Sequence, residues 1–181
     1  MSNMRVKQLI AHKFCLKCDG CCRFSQANTV WAPLFVKSEI KYLIKENFFS
    51  LADFSNIAGR QRLQPLKHKD YFICPCFNPI NHLCKIYKNR PFECQLYPFL
   101  LVKKDDKFYL AQDDKCLYIS VCRKEKLSRR TAYLEKKLNQ KQTISFLKQN
   151  KELFNPLESY CLTGFTEYPA SELKLLFPIN I

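Results

Sequence analysis

The sequence predicts an α+β fold: a small metal-stapled domain of short helices and strand hairpins, with a long basic helix toward the C-terminus. Short apolar runs bounded by charged or turn-forming residues are typical of strands and hairpins. Two other segments carry apolar residues at helical spacing. Eleven cysteines, several of them clustered, are spread over 181 residues. We expect a cysteine-cluster metal-binding domain at 1–122 and a basic helical extension at 123–181 that packs on it.

The first elements follow a cysteine-rich segment. Residues 29–36 (TVWAPLFV) predict an extended edge stretch that Pro33 interrupts. Ser38 is placed to cap a helix through EIKYLIKENFF. Its apolar positions share one face: Ile40, Leu43, Ile44 and Phe48. The segment SLADFSNIAGRQRLQPL predicts a loop with one short turn of helix.

The middle of the chain is rich in turns. Residues 71–76 (YFICPC) predict a strand, and Ile86 and Tyr87 are expected to resume extended structure. Pro91 is placed at the first turn of a short helix that Pro98 ends. The apolar runs FLLV and FYLA flank the charged turn KKDDK, which predicts a β-hairpin.

The last third predicts helix and then a returning tail. Apolar residues at helical spacing indicate one long amphipathic helix, or two with a break near Thr143: Leu134, Leu138, Ile144 and Leu147. Pro156 ends this helical region. The apolar content of the tail predicts that it packs back on the domain, and Cys161 is expected to be a buried structural thiol.

Composition excludes several function classes. The chain has only three glycines, which cannot form a dinucleotide-binding G-x-G-x-x-G fingerprint or a phosphate-binding P-loop. Residues 123–151 hold ten Lys or Arg against Glu125 and Glu135, so this stretch contributes 10 − 2 = +8 of the formal charge of +14. Such a basic segment favours either a nucleic-acid surface or an ordinary solvated helix face.

The cysteine usage favours a metal site. The N-terminal residues lack the apolar core of a signal peptide and no stretch is long and apolar enough to span a membrane, so we expect a cytoplasmic protein with reduced thiols. The segment CLKCDGCC holds four cysteines in eight positions, Cys15, Cys18, Cys21 and Cys22. Zinc and iron–sulfur centres are both held by clustered thiolates, so the cofactor is zinc or iron, the latter alone or as an iron–sulfur cluster.

These residues resemble a known family. CLKCDGCC, then a C-x7-C step from Cys76 to Cys84, then CKIYKNRPFECQLYPF are similar to the C-x-x-C-x-x-C-C family of zinc- or iron-chelating cysteine-cluster proteins. The resemblance covers about residues 12–122. It implies eight metal ligands: Cys15, Cys18, Cys21, Cys22, Cys76, Cys84, Cys94 and Cys116. Two positions depart from the family pattern, Gln95, where a basic residue is usual, and Cys74, an extra cysteine beside Cys76.

Eight thiolates fill two four-ligand sites or surround one polynuclear centre. Adjacent side chains diverge in most backbone conformations, so we expect Cys21 and Cys22 to serve two different metal positions. Arg90 has two interpretations that the sequence leaves open. Its planar fork of donors suits the thiolate sulfurs of a metal centre, and its charge equally suits a salt bridge to Glu93.

The resemblance leaves the function class open. The leading hypothesis is a metal-binding protein that chelates zinc or iron through these thiolates. Because some relatives are flagellin lysine N-methylases, the second is an iron-dependent protein-modifying enzyme, for which no catalytic residue can be named. The third is a zinc-dependent module that binds nucleic acid through Arg129, Arg130, Lys136 and Lys137. No protein partner is predicted.

Overall fold

The computed structural model describes residues 4–8, 10–11, 14, 16–18, 20–57, 59–161 and 173–181, and it confirms an α+β fold. The chain forms two compact units. The first unit is Met1–Asn3 with Ile10–Gln95, and the second is Met4–Leu9 with Leu96–Ile181. The domain boundary after Cys122 stays a prediction.

The first unit contains five described strands. They are β1 (Arg23–Phe24), β2 (Phe54–Ile57), β3 (Arg60–Leu63), β4 (Leu66–His68) and β5 (Tyr71–Ile73). Three of them form an antiparallel sheet in the order β1-β5-β4, in which Arg23 pairs with Ile73. The residues that flank this pair are Cys22 and Cys74. The short sheet therefore brings two cysteine-bearing segments together, and the strand predicted at 71–76 is confirmed over its first three residues.

Strands β2 and β3 form a hairpin where the sequence predicted a loop with one helical turn. The 3-10 turn Leu51–Asp53 confirms the helical turn, but the rest of the loop prediction is wrong. Apolar alternation fails to mark β3 because Arg62 is polar and yet fully buried, with its guanidinium donating to the Ala32 carbonyl. Gly59 lies at φ +75°, a left-handed conformation that favours glycine in the turn.

Helix α1 (Lys37–Lys45) is present as predicted, but its cap differs. Val36 is the N-cap residue, and its N–H donates to the Glu39 carboxylate at 3.0 Å. The capping side chain is thus that of Glu39, the third residue of the helix. The assignment of Ser38 as the cap is wrong. Ile40 and Leu43 are buried in the core of the first unit, as the periodicity predicted.

Three nearby predictions fail for local reasons. Residues 29–36 form a turn in which only Leu34 makes a β-bridge, rather than an extended edge stretch. Phe48 is 40 % exposed because α1 ends before it. Instead of extended structure, Ile86 precedes a 3-10 turn at Tyr87–Asn89, closed by the Asn89 N–H donating to the Ile86 carbonyl at 2.7 Å.

Glu39 links α1 to the segment that carries Cys94. Its carboxylate accepts a second hydrogen bond, from the Phe92 N–H at 2.7 Å, and its side chain is buried. Burial raises the pKa of Glu39 to about 7, against the opposing effect of these backbone donors. The folded chain therefore holds a proton that the unfolded chain releases above its ordinary pKa near 4.5.

We expect the stability that Glu39 contributes to be complete below about pH 4.5 and lost as the pH rises through 7. Glu39→Gln cannot titrate. Its free energy of unfolding relative to wild type should thus improve by up to about 3 kcal/mol between pH 4.5 and 8. Denaturant unfolding of both chains at these pH values measures the difference, in which the titration of all other groups cancels. A pH-independent difference would refute the assignment.

The second unit is built on a four-stranded sheet. Its strands are β6 (Phe99–Lys104), β7 (Lys107–Asp113), β8 (Asn155–Pro156) and β9 (Leu173–Pro178), in the order β8-β6-β7-β9. The predicted hairpin is confirmed as β6 and β7. Its turn residues Asp105 and Asp106 have φ of 47° and 58°, as type I′ turns require. Pairing of β9 with β7 confirms the returning tail for its described part.

The remaining helices are α2 (Phe92–Leu96), α3 (Leu117–Val121), α4 (Lys124–Leu138), α5 (Lys141–Gln149) and α6 (Leu157–Cys161). Helix α2 lies between Pro91 and the cis Tyr97–Pro98 peptide, as predicted. None of the helices in the described ranges has the length and apolar character needed to cross a membrane. The side chain of Cys161 is outside the described part of the chain, so its burial stays a prediction.

The basic stretch forms two helices rather than one long helix. The break falls between α4 and α5, at Asn139 and Gln140, and not near Thr143. It forms there because the Asn139 side chain donates to the Glu135 carbonyl at 2.9 Å and so ends α4. Thr143 is instead fully buried within α5.

Candidate metal centre

The first cysteine segment ends in a single turn of 3-10 helix, Gly20–Cys22, which leads directly into β1. In this turn the sulfurs of Cys21 and Cys22 lie 4.0 Å apart. The expectation that these neighbouring side chains diverge is wrong, because a 3-10 turn separates successive residues by only about 120°. Two sulfurs that share one tetrahedral zinc are about 3.8 Å apart, so the observed spacing suits a common ion.

The second cysteine segment follows β5. The Cys74 N–H donates to the Cys22 carbonyl at 2.9 Å, and the Phe77 N–H closes a tight turn onto the Cys74 carbonyl at 2.8 Å. This turn directs Cys76 toward Cys84, which is joined to Phe77 by a β-bridge. The Cys76 thiol makes side-chain hydrogen bonds with both Cys74 and Cys84.

The seven residues between Cys76 and Cys84 form a closed loop. The Asn78 side chain accepts from the Ile80 N–H at 2.9 Å, and the Asn78 N–H donates to the Leu83 carbonyl at 2.9 Å. The Lys85 N–H then donates a hydrogen bond to the Cys76 carbonyl at 2.8 Å, which closes the loop. The C-x7-C spacing is therefore the length that lets an asparagine-anchored turn bring both cysteines back to one place.

Arg90 lies beside this group of thiols. Its guanidinium stacks over the Tyr87 ring, 4.0 Å from the ring centroid, and hydrogen-bonds the Cys84 sulfur. This contact agrees with the interpretation of Arg90 as a donor to sulfur. The carboxylate of Glu93 lies 3.8 Å from the guanidinium of Arg62 and accepts from the Leu34 N–H at 2.6 Å.

Two thiols are held protonated by their neighbours and by burial. The hydrogen bonds with Cys74 and Cys84 raise the pKa of Cys76 far above its usual range, and burial raises it further. The hydrogen bond with Cys22 and then burial raise the pKa of Cys21. Metal ligation would require these thiols to lose their protons, so metal binding at this place releases protons.

Cys84 and Cys94 differ in their electrostatic surroundings. Burial raises the pKa of Cys94, even though the Arg90 charge opposes the shift. The pKa of Cys84 is lowered to about 6 by its hydrogen bond with Cys76 and, against burial, by the charge and hydrogen bond of Arg90. Cys84 is therefore the thiol of this group that is most ready to bind a cation as thiolate at neutral pH.

Five of the eight predicted ligands lie close together in the first unit. Cys21, Cys22, Cys76, Cys84 and Cys94 influence one another electrostatically. Cys18 is half-buried in the same unit, whereas Cys116 is buried in the second unit, at the start of α3. Cys15 lies outside the described residues, and so does Asp19, which the sequence places inside the cluster loop.

The sequence interpretation left one member of this group out. Cys74 is buried and makes a side-chain hydrogen bond with Cys76, yet it was set aside as an extra cysteine. Its position within the predicted strand 71–76, two residues before the predicted ligand Cys76, was the available signal. The donor set as a whole fits a thiophilic metal, since it consists of buried thiols beside one guanidinium. In the described ranges, no three Cys, His, Asp or Glu side chains already lie in an arrangement that could hold an ion.

Arg90→Met is expected to weaken metal binding by roughly 10- to 100-fold, because the variant loses a charged hydrogen bond to a ligand sulfur. Competition with a chromophoric chelator measures the affinity. Lys85→Met is the matched control: it removes an exposed positive charge next to Cys84 that solvent already screens. Equal losses in both variants would show that net charge, rather than the Arg90 hydrogen bond, is responsible.

Comparison with known proteins gives one match. The model of the CxxCxxCC family, described as "Putative zinc- or iron-chelating domain", matches residues 14–117, which is more than half of the chain. The matched range contains all eight predicted ligands. No curated protein and no solved structure matches the chain.

Proposed function

The chain belongs to the CxxCxxCC family, and from this membership we propose that it holds zinc or iron in a thiolate-ligated centre. The proposed ligands are Cys15, Cys18, Cys21, Cys22, Cys76, Cys84, Cys94 and Cys116. The observation that carries the proposal is the meeting of thiols from three separate segments, 20–22, 74–84 and 94, around Arg90.

The arrangement supports a structural role in which the bound metal joins the cysteine segments and so stabilises the fold. The first two cysteine segments are joined by the short β1–β5 pairing and by the 2.9 Å hydrogen bond from the Cys74 N–H to the Cys22 carbonyl. Thiols that face one another in a buried place add little stability when protonated. Bound metal would join the segments, and structural zinc sites contribute on the order of 10 kcal/mol to folding.

Sulfur ligation suits zinc and iron alike, so metal content distinguishes them. Anaerobic purification followed by measurement of zinc, iron and acid-labile sulfide tests the proposal. Zinc without colour supports a zinc staple, whereas iron with stoichiometric sulfide and visible absorption supports an iron–sulfur cluster. A folded chain that contains neither metal, and that takes up neither on reconstitution, would overturn the proposal.

The other two hypotheses remain predictions. For the lysine methylase hypothesis, no catalytic group is assigned. For nucleic-acid binding, the exposed positions on α4 include Arg129 and Lys136. Arg130, however, is only 7 % exposed and stacks on Tyr133 at 4.8 Å from the ring centroid, so it is not a surface contact.

A further inference from the structure

Cys74 occupies the junction of the two main cysteine segments. It is the first residue after β5 and is only 4 % exposed. Its backbone is fixed on both sides, because its N–H donates to the Cys22 carbonyl at 2.9 Å and its carbonyl accepts from the Phe77 N–H at 2.8 Å. The position of its side chain is therefore set by the sheet and by the following turn.

Cys74 belongs to the same buried core cluster of the first unit as Cys76, and Cys22 and Cys84 pack against that cluster. It hydrogen-bonds the Cys76 sulfur and lies close enough to Cys21, Cys22 and Cys94 to act on each of them electrostatically. It thus reaches the first cysteine segment, the second segment and helix α2.

Two roles are compatible with a buried cysteine. As a small apolar residue, Cys74 packs in the core of the first unit, to which Ile73 and Phe77 also belong. As a ligand, its sulfur would face other donor atoms. The cysteines in and against the same cluster, Cys76, Cys22 and Cys84, favour the second role, because their sulfurs would supply further ligands to one thiophilic cation.

We propose that Cys74 is a ninth thiolate ligand of the metal centre, binding the same thiophilic cation as Cys76. This inference rests on the proposed function, because it needs a metal at the cluster. On binding, the Cys74 thiol releases its proton to solvent and forms a sulfur–metal bond.

Two variants separate the ligand role from the packing role. Cys74→Ser keeps the size of the side chain, and Cys74→Ala keeps an apolar side chain. If Cys74 is a ligand, both should weaken metal binding at least tenfold in chelator competition and reduce the thiolate charge-transfer absorption of the cobalt(II)-substituted chain. Cys122→Ser, which replaces a half-buried thiol of the second unit, is the control. Binding by Cys74→Ala equal to that of Cys122→Ser would overturn the inference.

A measurement on the unaltered chain avoids the risk that the variants misfold. In the cadmium-113-substituted protein, scalar coupling between the Cys74 Hβ protons and the metal reports a direct bond. We expect this coupling alongside that of Cys76. Coupling at Cys76 without coupling at Cys74 would refute the inference and leave the proposed function intact. Absence of any cysteine coupling, with no metal bound, would refute the proposed function itself.

Discussion

Cys22→Ser is expected to remove more than half of the bound metal and to weaken the binding of the remainder at least about 100-fold. The Cys22 sulfur lies 4.0 Å from that of Cys21, and its thiol also interacts electrostatically with those of Cys74, Cys84 and Cys94. Its loss separates the first segment from the rest of the centre. Metal content per chain after purification, together with chelator competition, measures the effect.

The matched control is Cys122→Ser, which removes a half-buried thiol outside the proposed ligand set. Its metal content should equal that of wild type. If Cys22→Ser lost no more metal than Cys122→Ser, Cys22 would not be a ligand. Because Cys21 and Cys22 have sulfurs 4.0 Å apart, Cys21→Ser should resemble Cys22→Ser. This similarity would hold whether the two sulfurs share one ion or bind neighbouring ions.

Arg62→Met is expected to destabilise the chain by about 3–5 kcal/mol, the usual cost of breaking a buried ion pair from one side. Arg62 is fully buried, donates to the Ala32 carbonyl and lies 3.8 Å from the Glu93 carboxylate. The substitution removes the Arg62 charge from beside that largely buried carboxylate. Denaturant unfolding with saturating metal measures the loss.

Two further variants define the cause. Lys41→Met, an exposed charge on α1, should change the free energy of unfolding by less than about 0.5 kcal/mol. The double variant Arg62→Met with Glu93→Gln should recover part of the loss, because the carboxylate that lost the Arg62 charge is then also gone. If the double variant lost as much as the sum of the two single variants, Arg62 and Glu93 would act independently. The interaction would then not be the reason for the effect.

Elements marked by apolar patterning could be predicted from the sequence. The β6–β7 hairpin was recognisable because its two apolar runs flank a charged turn, and α1 because Ile40 and Leu43 recur at helical spacing. The β2–β3 hairpin could not be recognised in the same way. Its central residue Arg62 is buried for an electrostatic reason, and its partner Glu93 lies 31 positions away in the sequence.

The candidate site was predictable in residue type but not in geometry. The cysteine spacing and the R-P-x-x-C step predicted the ligand segments and one of the two roles considered for Arg90, with which its hydrogen bond to Cys84 agrees. The closeness of the Cys21 and Cys22 sulfurs depends on one 3-10 turn, which no apolar periodicity in the sequence predicts. The inclusion of Cys74 depends on the pairing of β1 with β5, a contact between segments about 50 residues apart.

The central claim is that sulfur atoms of this chain hold the metal. X-ray absorption at the metal edge of the purified protein tests it most directly, because it reports the type and distance of the atoms bound to the metal. We predict that the atoms bound to the metal are sulfur, at a metal–sulfur distance of about 2.3 Å, with no substantial contribution from nitrogen or oxygen. Bound atoms that are mostly nitrogen or oxygen, at about 2.0–2.1 Å from the metal, would contradict the claim.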